Sequence, residues 1–130
     1  MRQTMFGLVA KNGGIERGNG ARRGPKRPRI SPAVRRFINR LKDELQPELV
    51  ILFGSRARGE NIETSDYDML IVSKAFSDIP WVERAVLILP LWDIPLDLEP
   101  ICLTPAEFKR RSNDLTIVGM AIREGIVIYP

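Results

Sequence analysis

The sequence contains no histidine and a single cysteine, Cys102. Without histidine, Ser-His-Asp, Cys-His and histidine-ligated metal mechanisms are excluded. One cysteine excludes an intrachain disulfide and any Cys-rich zinc site, and a cytoplasmic location is expected. Long apolar runs are also missing. None approaches the roughly 18 residues of a membrane helix. The stretch from Met5 to Ala10 contains Gly7 and is shorter than a signal-peptide core of about 7–15 residues. What remains for chemistry is carboxylates, hydroxyls, Lys, Arg and metals held by oxygen. The 130 residues are 44% hydrophobic and 28% charged, which suits one globular domain and argues against full-length disorder.

Charge is unevenly placed. Residues 1–30 carry eight basic residues against one acid, Glu16, a net +7; the other 100 residues carry twelve against fifteen, a net −3. The basic segment is rich in Gly and Pro, with Ile15 as its one large apolar residue between 11 and 29. Such composition buries too little surface to offset ordering entropy. A basic, mostly disordered leader is therefore expected over residues 1–30, either a solvated tail or an arm making weak nucleic-acid contact. Its deletion is expected to change melting temperature little.

Order is expected from Ser31, an N-cap followed by Pro32 in the first helical turn. Val34, Phe37, Ile38, Leu41 and Leu45 then recur at helical spacing, and Pro47 closes the helix. Leu49–Phe53 is continuously apolar, as in a strand covered on both faces. Gly54 to Gly59 reads as a turn opening a short helix. Strands are expected at Ser65–Val72, Leu96–Leu103 and Ile126–Tyr129. Helices are expected at Ile79–Leu89, after a Thr104-Pro105-Ala106-Glu107 capping box, and at Leu115–Glu124. Helices alternating with strands make the fold class α/β. A single domain over residues 31–130 is expected.

Two segments carry chemistry. In the first, an apolar strand runs into Gly54-Ser55-Arg56-Ala57-Arg58-Gly59. Gly54 permits close backbone approach to a ligand. The amides and hydroxyl of Ser55, with Arg56 and Arg58 nearby, suit an anion at a helix start. It is not a Walker A loop, because Gly59 is followed by Glu60-Asn61. In the second, Asp66 and Asp68 stand two apart on a strand, so their carboxylates share a face. Two facing carboxylates repel unless a hard cation such as Mg²⁺ lies between them. Asp97 and Glu99 share a face by the same alternation, and either could supply a third carboxylate. Reach favours Asp97, the shorter acid, with Glu99 secondary.

Gly54-Ser55, ten residues, then Asp66-Tyr67-Asp68 resembles the signature of the DNA polymerase β nucleotidyltransferase superfamily, and within it the minimal nucleotidyltransferase (MNT) group. Asp97-Leu98-Glu99 followed by Thr104-Pro105-Ala106-Glu107-Phe108 resembles that group's third-carboxylate strand and next helix. The resemblance covers about residues 31–130. It implies a small mixed β-sheet of about four strands flanked by helices. It further implies transfer of a nucleoside monophosphate from an NTP, with ATP as substrate, to a hydroxyl. Two Mg²⁺ ions would be held by Asp66, Asp68 and Asp97. Gly54 and Ser55 would hold the triphosphate, and Arg56 or Arg58 would neutralise charge.

Short MNT proteins are often paired with a HEPN-type toxin, and active ones move AMP to a tyrosine on it. The resemblance thus implies a protein adenylyltransferase with an antitoxin role. The competing expectations are a non-catalytic antitoxin that acts by binding, and a nucleic-acid-binding module led by the basic segment. A small-molecule hydroxyl, such as that of an antibiotic, is a further acceptor class.

Overall fold

The computed structural model describes residues 30–113 and 115–130. Apart from Ile30, the expected basic leader lies outside the described residues. The first helix, α1, spans Pro32–Leu45. Its cap is the expected one: the Ser31 hydroxyl accepts from the Val34 amide at 3.1 Å. Gln46 ends it in the left-handed region at φ 47. Strand β1 spans Leu49–Phe53 and leads directly into the short helix α2, Ser55–Arg58.

Strand β2, Tyr67–Val72, begins two residues later than the sequence pattern suggests. The cause is local hydrogen bonding at Ser65. Its hydroxyl accepts from the Ile62 amide at 2.9 Å and its amide donates to the Ile62 carbonyl at 3.0 Å. Ser65 and Asp66 therefore belong to the turn that feeds the strand. A 3₁₀ turn at Lys74–Phe76 precedes α3, Trp81–Ile88, and a second one covers Leu89–Leu91. Strand β3 is Leu98–Leu103, starting just after Asp97. The capping box forms at the start of α4, Pro105–Arg111. Helix α5, Ile117–Glu124, and strand β4, Ile126–Tyr129, complete the chain.

The sheet order is β3-β2-β1-β4. Strand β1 is antiparallel to both β2 and β4. Strands β2 and β3 are parallel, joined by the crossover through α3. The sheet is thus mixed, as the resemblance implies. Side-chain alternation divides the core between its two faces. Leu49, Ile51, Phe53, Leu70 and Val72 pack under α4 and α5, against Phe108, Val118, Ala121 and Ile122. Val50, Met69, Ile71 and Cys102 face α1, against Phe37, Ile38 and Leu41. Burial pushes the Cys102 thiol up to about 12, so this cysteine is packing rather than chemistry.

Candidate active site

The central strands share one end. Phe53, the last residue of β1, pairs with Asp68 near the start of β2, and Asp68 is level with Glu99 on β3. Gly54 and Ser55 therefore leave β1 beside the acids of β2. The backbone geometry makes Gly54 obligatory for two reasons. Its φ is 78 and its ψ is −159, where side-chain-bearing residues are strained. A Cβ built on it would also collide with the Asp68 carboxylate. The chain thus turns hard against Asp68. The Ala57 amide returns to the Gly54 carbonyl at 3.0 Å and the Arg58 amide at 3.2 Å. The Ser55 and Arg56 amides open the helix, where no intrahelical acceptor exists.

Four acids collect at this end of the sheet. Asp66 and Asp97 immediately precede their strands, and the Tyr67 amide donates to the Asp97 carbonyl at 2.9 Å. Asp68 and Glu99 lie within β2 and β3 on the face that carries Leu70, Val72, Ile101 and Leu103. Burial raises the Asp68 pKa first, and repulsion from Asp66 adds to it, while Arg58 pulls it down. Glu99 is also raised. The leading cause is the Asp68 charge, followed by burial, the Asp66 charge, a hydrogen bond with Asp66, and Asp97. The acids therefore form one electrostatic unit. Among the described residues, no three Asp, Glu or Cys side chains are gathered closely enough to make a ready metal cage. The acids stand instead as an open row of oxygen donors whose mutual repulsion a divalent cation would relieve.

Two concavities flank this row. One, about 140 Å³, is lined by Phe53, Gly54, Arg58, Asp68, Met120 and Glu124. The other, about 500 Å³, is lined by Leu89, Trp92, Ile94 and Leu96 with Asp97 and Glu99. Trp92 is fixed there by donating its Nε1 to the Leu96 carbonyl at 2.7 Å and by an edge contact with Phe37 at 4.9 Å. The Trp92 and Ile94 wall of this groove was not legible in the sequence, because it falls between the expected helix Ile79–Leu89 and the expected strand Leu96–Leu103.

Gly54, Ser55, Arg58, Asp66, Asp68 and Asp97 are thus all brought to one end of the sheet. Arg58 is exposed, and its Nε donates to Glu60 at 2.8 Å. Arg56 turns the other way, into the loop before β2. Its Nε and Nη2 both donate to the Ser65 carbonyl, at 3.0 and 2.8 Å. Its guanidinium lies over the Tyr67 ring, 3.9 Å from the centroid. Glu99, secondary to Asp97 on reach, is the acid level with Asp68. Register decides that, and register is a property of strand pairing rather than of local sequence.

Residues 34–125 match the family model described as the nucleotidyltransferase domain. The chain belongs to this family. The mixed α/β sheet is consistent with that family. "Putative protein adenylyltransferase MJ1305" of Methanocaldococcus jannaschii is 29% identical over 90 residues, covering 65% of this chain and 61% of that protein. "Putative protein adenylyltransferase MJ0604" of the same organism is 48% identical over 42 residues, covering 31% of this chain and 42% of that protein. The chain thus spans less than two thirds of the length of both curated relatives. A solved "putative nucleotidyltransferase from Sulfolobus solfataricus" is 23% identical, with TM-score 0.45, covering 78% of this chain and 89% of that one. Among the described residues, no helix is long and apolar enough to cross a membrane.

Proposed function

We propose that this nucleotidyltransferase domain moves AMP from ATP to a hydroxyl on a protein, with a tyrosine of a HEPN-type toxin as the acceptor and an antitoxin role as the outcome. The observation that carries the reading is the acid row between two concavities. Asp68 lines the smaller one beside the Gly54–Ser55 turn, and Glu99, level with it, lines the larger. Such a row can hold a triphosphate on one flank and receive an acceptor on the other. The names of the two curated relatives point to the same chemistry.

The donor set suits magnesium: oxygen ligands only, in mutual repulsion. Asp66, Asp68 and a third acid would hold two Mg²⁺ ions, which supply charge neutralisation and acidify the acceptor hydroxyl when bound. We take Glu99 for the third position over the Asp97 preferred on reach, because Glu99 is level with Asp68 and its carboxyl also hydrogen-bonds Asp66. The remaining steps belong to the chain. The Ser55 and Arg56 amides and the Ser55 hydroxyl receive the phosphates. Arg58, paired with Glu60 and attracted more weakly to Glu124 and Asp68, faces the negative charge that builds on the leaving pyrophosphate. The acceptor oxygen attacks the α-phosphorus, the bond to pyrophosphate breaks, and the hydroxyl proton passes to a carboxylate of the row.

The test is intact-mass spectrometry of a HEPN-type partner protein after incubation with this chain, ATP and Mg²⁺. A mass gain of one AMP, mapped to a tyrosine and absent with Asp66→Asn/Asp68→Asn, is expected. Unmodified partner under all conditions would contradict the acceptor assignment.

A further inference from the structure

Arg56 lies in the motif segment where a phosphate-binding cation is expected, yet its guanidinium is committed elsewhere. It donates twice to the Ser65 carbonyl, and its Nη2 also approaches the Glu63 carbonyl at 3.4 Å. Its guanidinium carbon lies over the Tyr67 ring, and Tyr67 in turn meets Trp92 edge-on at 5.1 Å. These contacts join the two halves of the site. Arg56 follows Ser55 in the phosphate-facing turn, while Ser65 and Tyr67 bracket Asp66. The peptide that Arg56 holds is the one linking Ser65 to Asp66.

We infer that Arg56 is a positioning residue, a staple that fixes the Asp66 corner against the Gly54–Ser55 turn and so sets the spacing between metal-binding carboxylates and triphosphate. The inference rests on the nucleotidyltransferase reading of the site but assigns Arg56 a task other than phosphate contact. The geometry needs arginine in particular. A planar fork can give two hydrogen bonds to one carbonyl while lying over a ring, and a lysine ammonium cannot do both. Apart from Arg56, the corner is held by the two Ser65–Ile62 bonds and, one peptide on, by the Tyr67 amide on the Asp97 carbonyl. Like-charge repulsion within the acid row works against it. Loss of the staple therefore loosens Asp66 before it disturbs the core.

The experiment compares wild type, Arg56→Ala, Arg56→Lys and Tyr67→Leu by two measurements. The first is amide hydrogen exchange of the segment 60–67 in the protein without nucleotide or metal. The second is Mn²⁺ affinity, by titration calorimetry in the presence of a non-hydrolysable ATP analogue. Faster exchange confined to that segment is expected for Arg56→Ala and Arg56→Lys, and a smaller change for Tyr67→Leu. Mn²⁺ affinity should fall about 10-fold in both arginine variants, the scale for losing a group that orients a metal ligand. Unchanged exchange, or an Arg56→Lys variant that matches wild type in both measurements, would overturn the staple and return Arg56 to a phosphate-facing charge. The exchange arm is read on the protein alone. If wild type binds no Mn²⁺ with the analogue, the nucleotidyltransferase reading fails while the staple is still decided.

Discussion

At the scale of single residues, the account turns on which acid completes the site. Asp97 and Glu99 both line the larger groove, and Asp97 is the shorter side chain. The proposal rests instead on contact: Glu99 is level with Asp68 and interacts with both Asp68 and Asp66. Glu99→Gln is therefore expected to lower AMP transfer by about 100-fold, and Asp97→Asn by far less, as measured by initial rates at saturating ATP. The reverse order would restore Asp97. The same acids set a pH dependence. Asp68 and Glu99 are both raised, so the folded protein holds their protons more tightly than the unfolded chain does. Their contribution to metal-free stability is present at low pH and is lost as pH rises through the raised values. Asp68→Asn should flatten that loss in urea unfolding followed against pH. The positions of Gly54, Ser55 and Asp68 were readable from sequence because a strand-turn-helix and an apolar strand place them locally, whereas the strand expected from Ser65 carried Asp66 and the structure puts Asp66 in the turn before β2. The task of Arg56 was not readable, because its partner is a backbone carbonyl nine residues on, set by how the loop closes.

At the scale of elements, the helix starts were the most legible features. Ser31 and Thr104 cap as their sequence contexts require, since a cap is decided within four residues. What local pattern could not show is that the capping-box glutamate has a second partner. Arg84, on α3 and 6% exposed, donates to Glu107 at 2.6 and 3.2 Å. It also donates to the carbonyls of Ile79 at 2.9 Å and Cys102 at 3.0 Å. This arginine ties α3 to the end of β3 and the start of α4, and so holds the crossover that brings β3 beside β2. Its hydrogen bond leads the causes that hold the Glu107 carboxyl below the usual range. The pair therefore stabilises the fold at neutral pH, and that contribution is lost as pH falls through the depressed value. Glu107→Gln should cost about 3 kcal/mol in urea unfolding near neutral pH, because it strands a buried charge. The difference from wild type should shrink on acidification. A cost unchanged by acid would mean packing, not charge, is at stake.

At the scale of the whole molecule, the mixed sheet is what makes a site from scattered motifs. Alternating helices and strands were enough to expect α/β, since each element carries its own periodicity, while the single mixed sheet of about four strands came from the family resemblance. Strand order was not readable, because β3-β2-β1-β4 depends on which apolar faces meet across the core. That order puts β2 in the interior with Asp68 flanked by Phe53 on one side and Glu99 on the other. This end of the sheet is expected to bind a metal-nucleotide complex through the Gly54–Ser55 turn and the acid row. Titration calorimetry with a non-hydrolysable ATP analogue tests it most directly, on wild type and on Asp66→Asn/Asp68→Asn. The account predicts binding by wild type in Mg²⁺ and at least about 10-fold weaker binding in EDTA. It predicts the same weakness in the double variant, whose melting temperature should be at or above that of wild type because facing charges are gone. Equal affinity with Mg²⁺ and EDTA, or full affinity in the double variant, would contradict it.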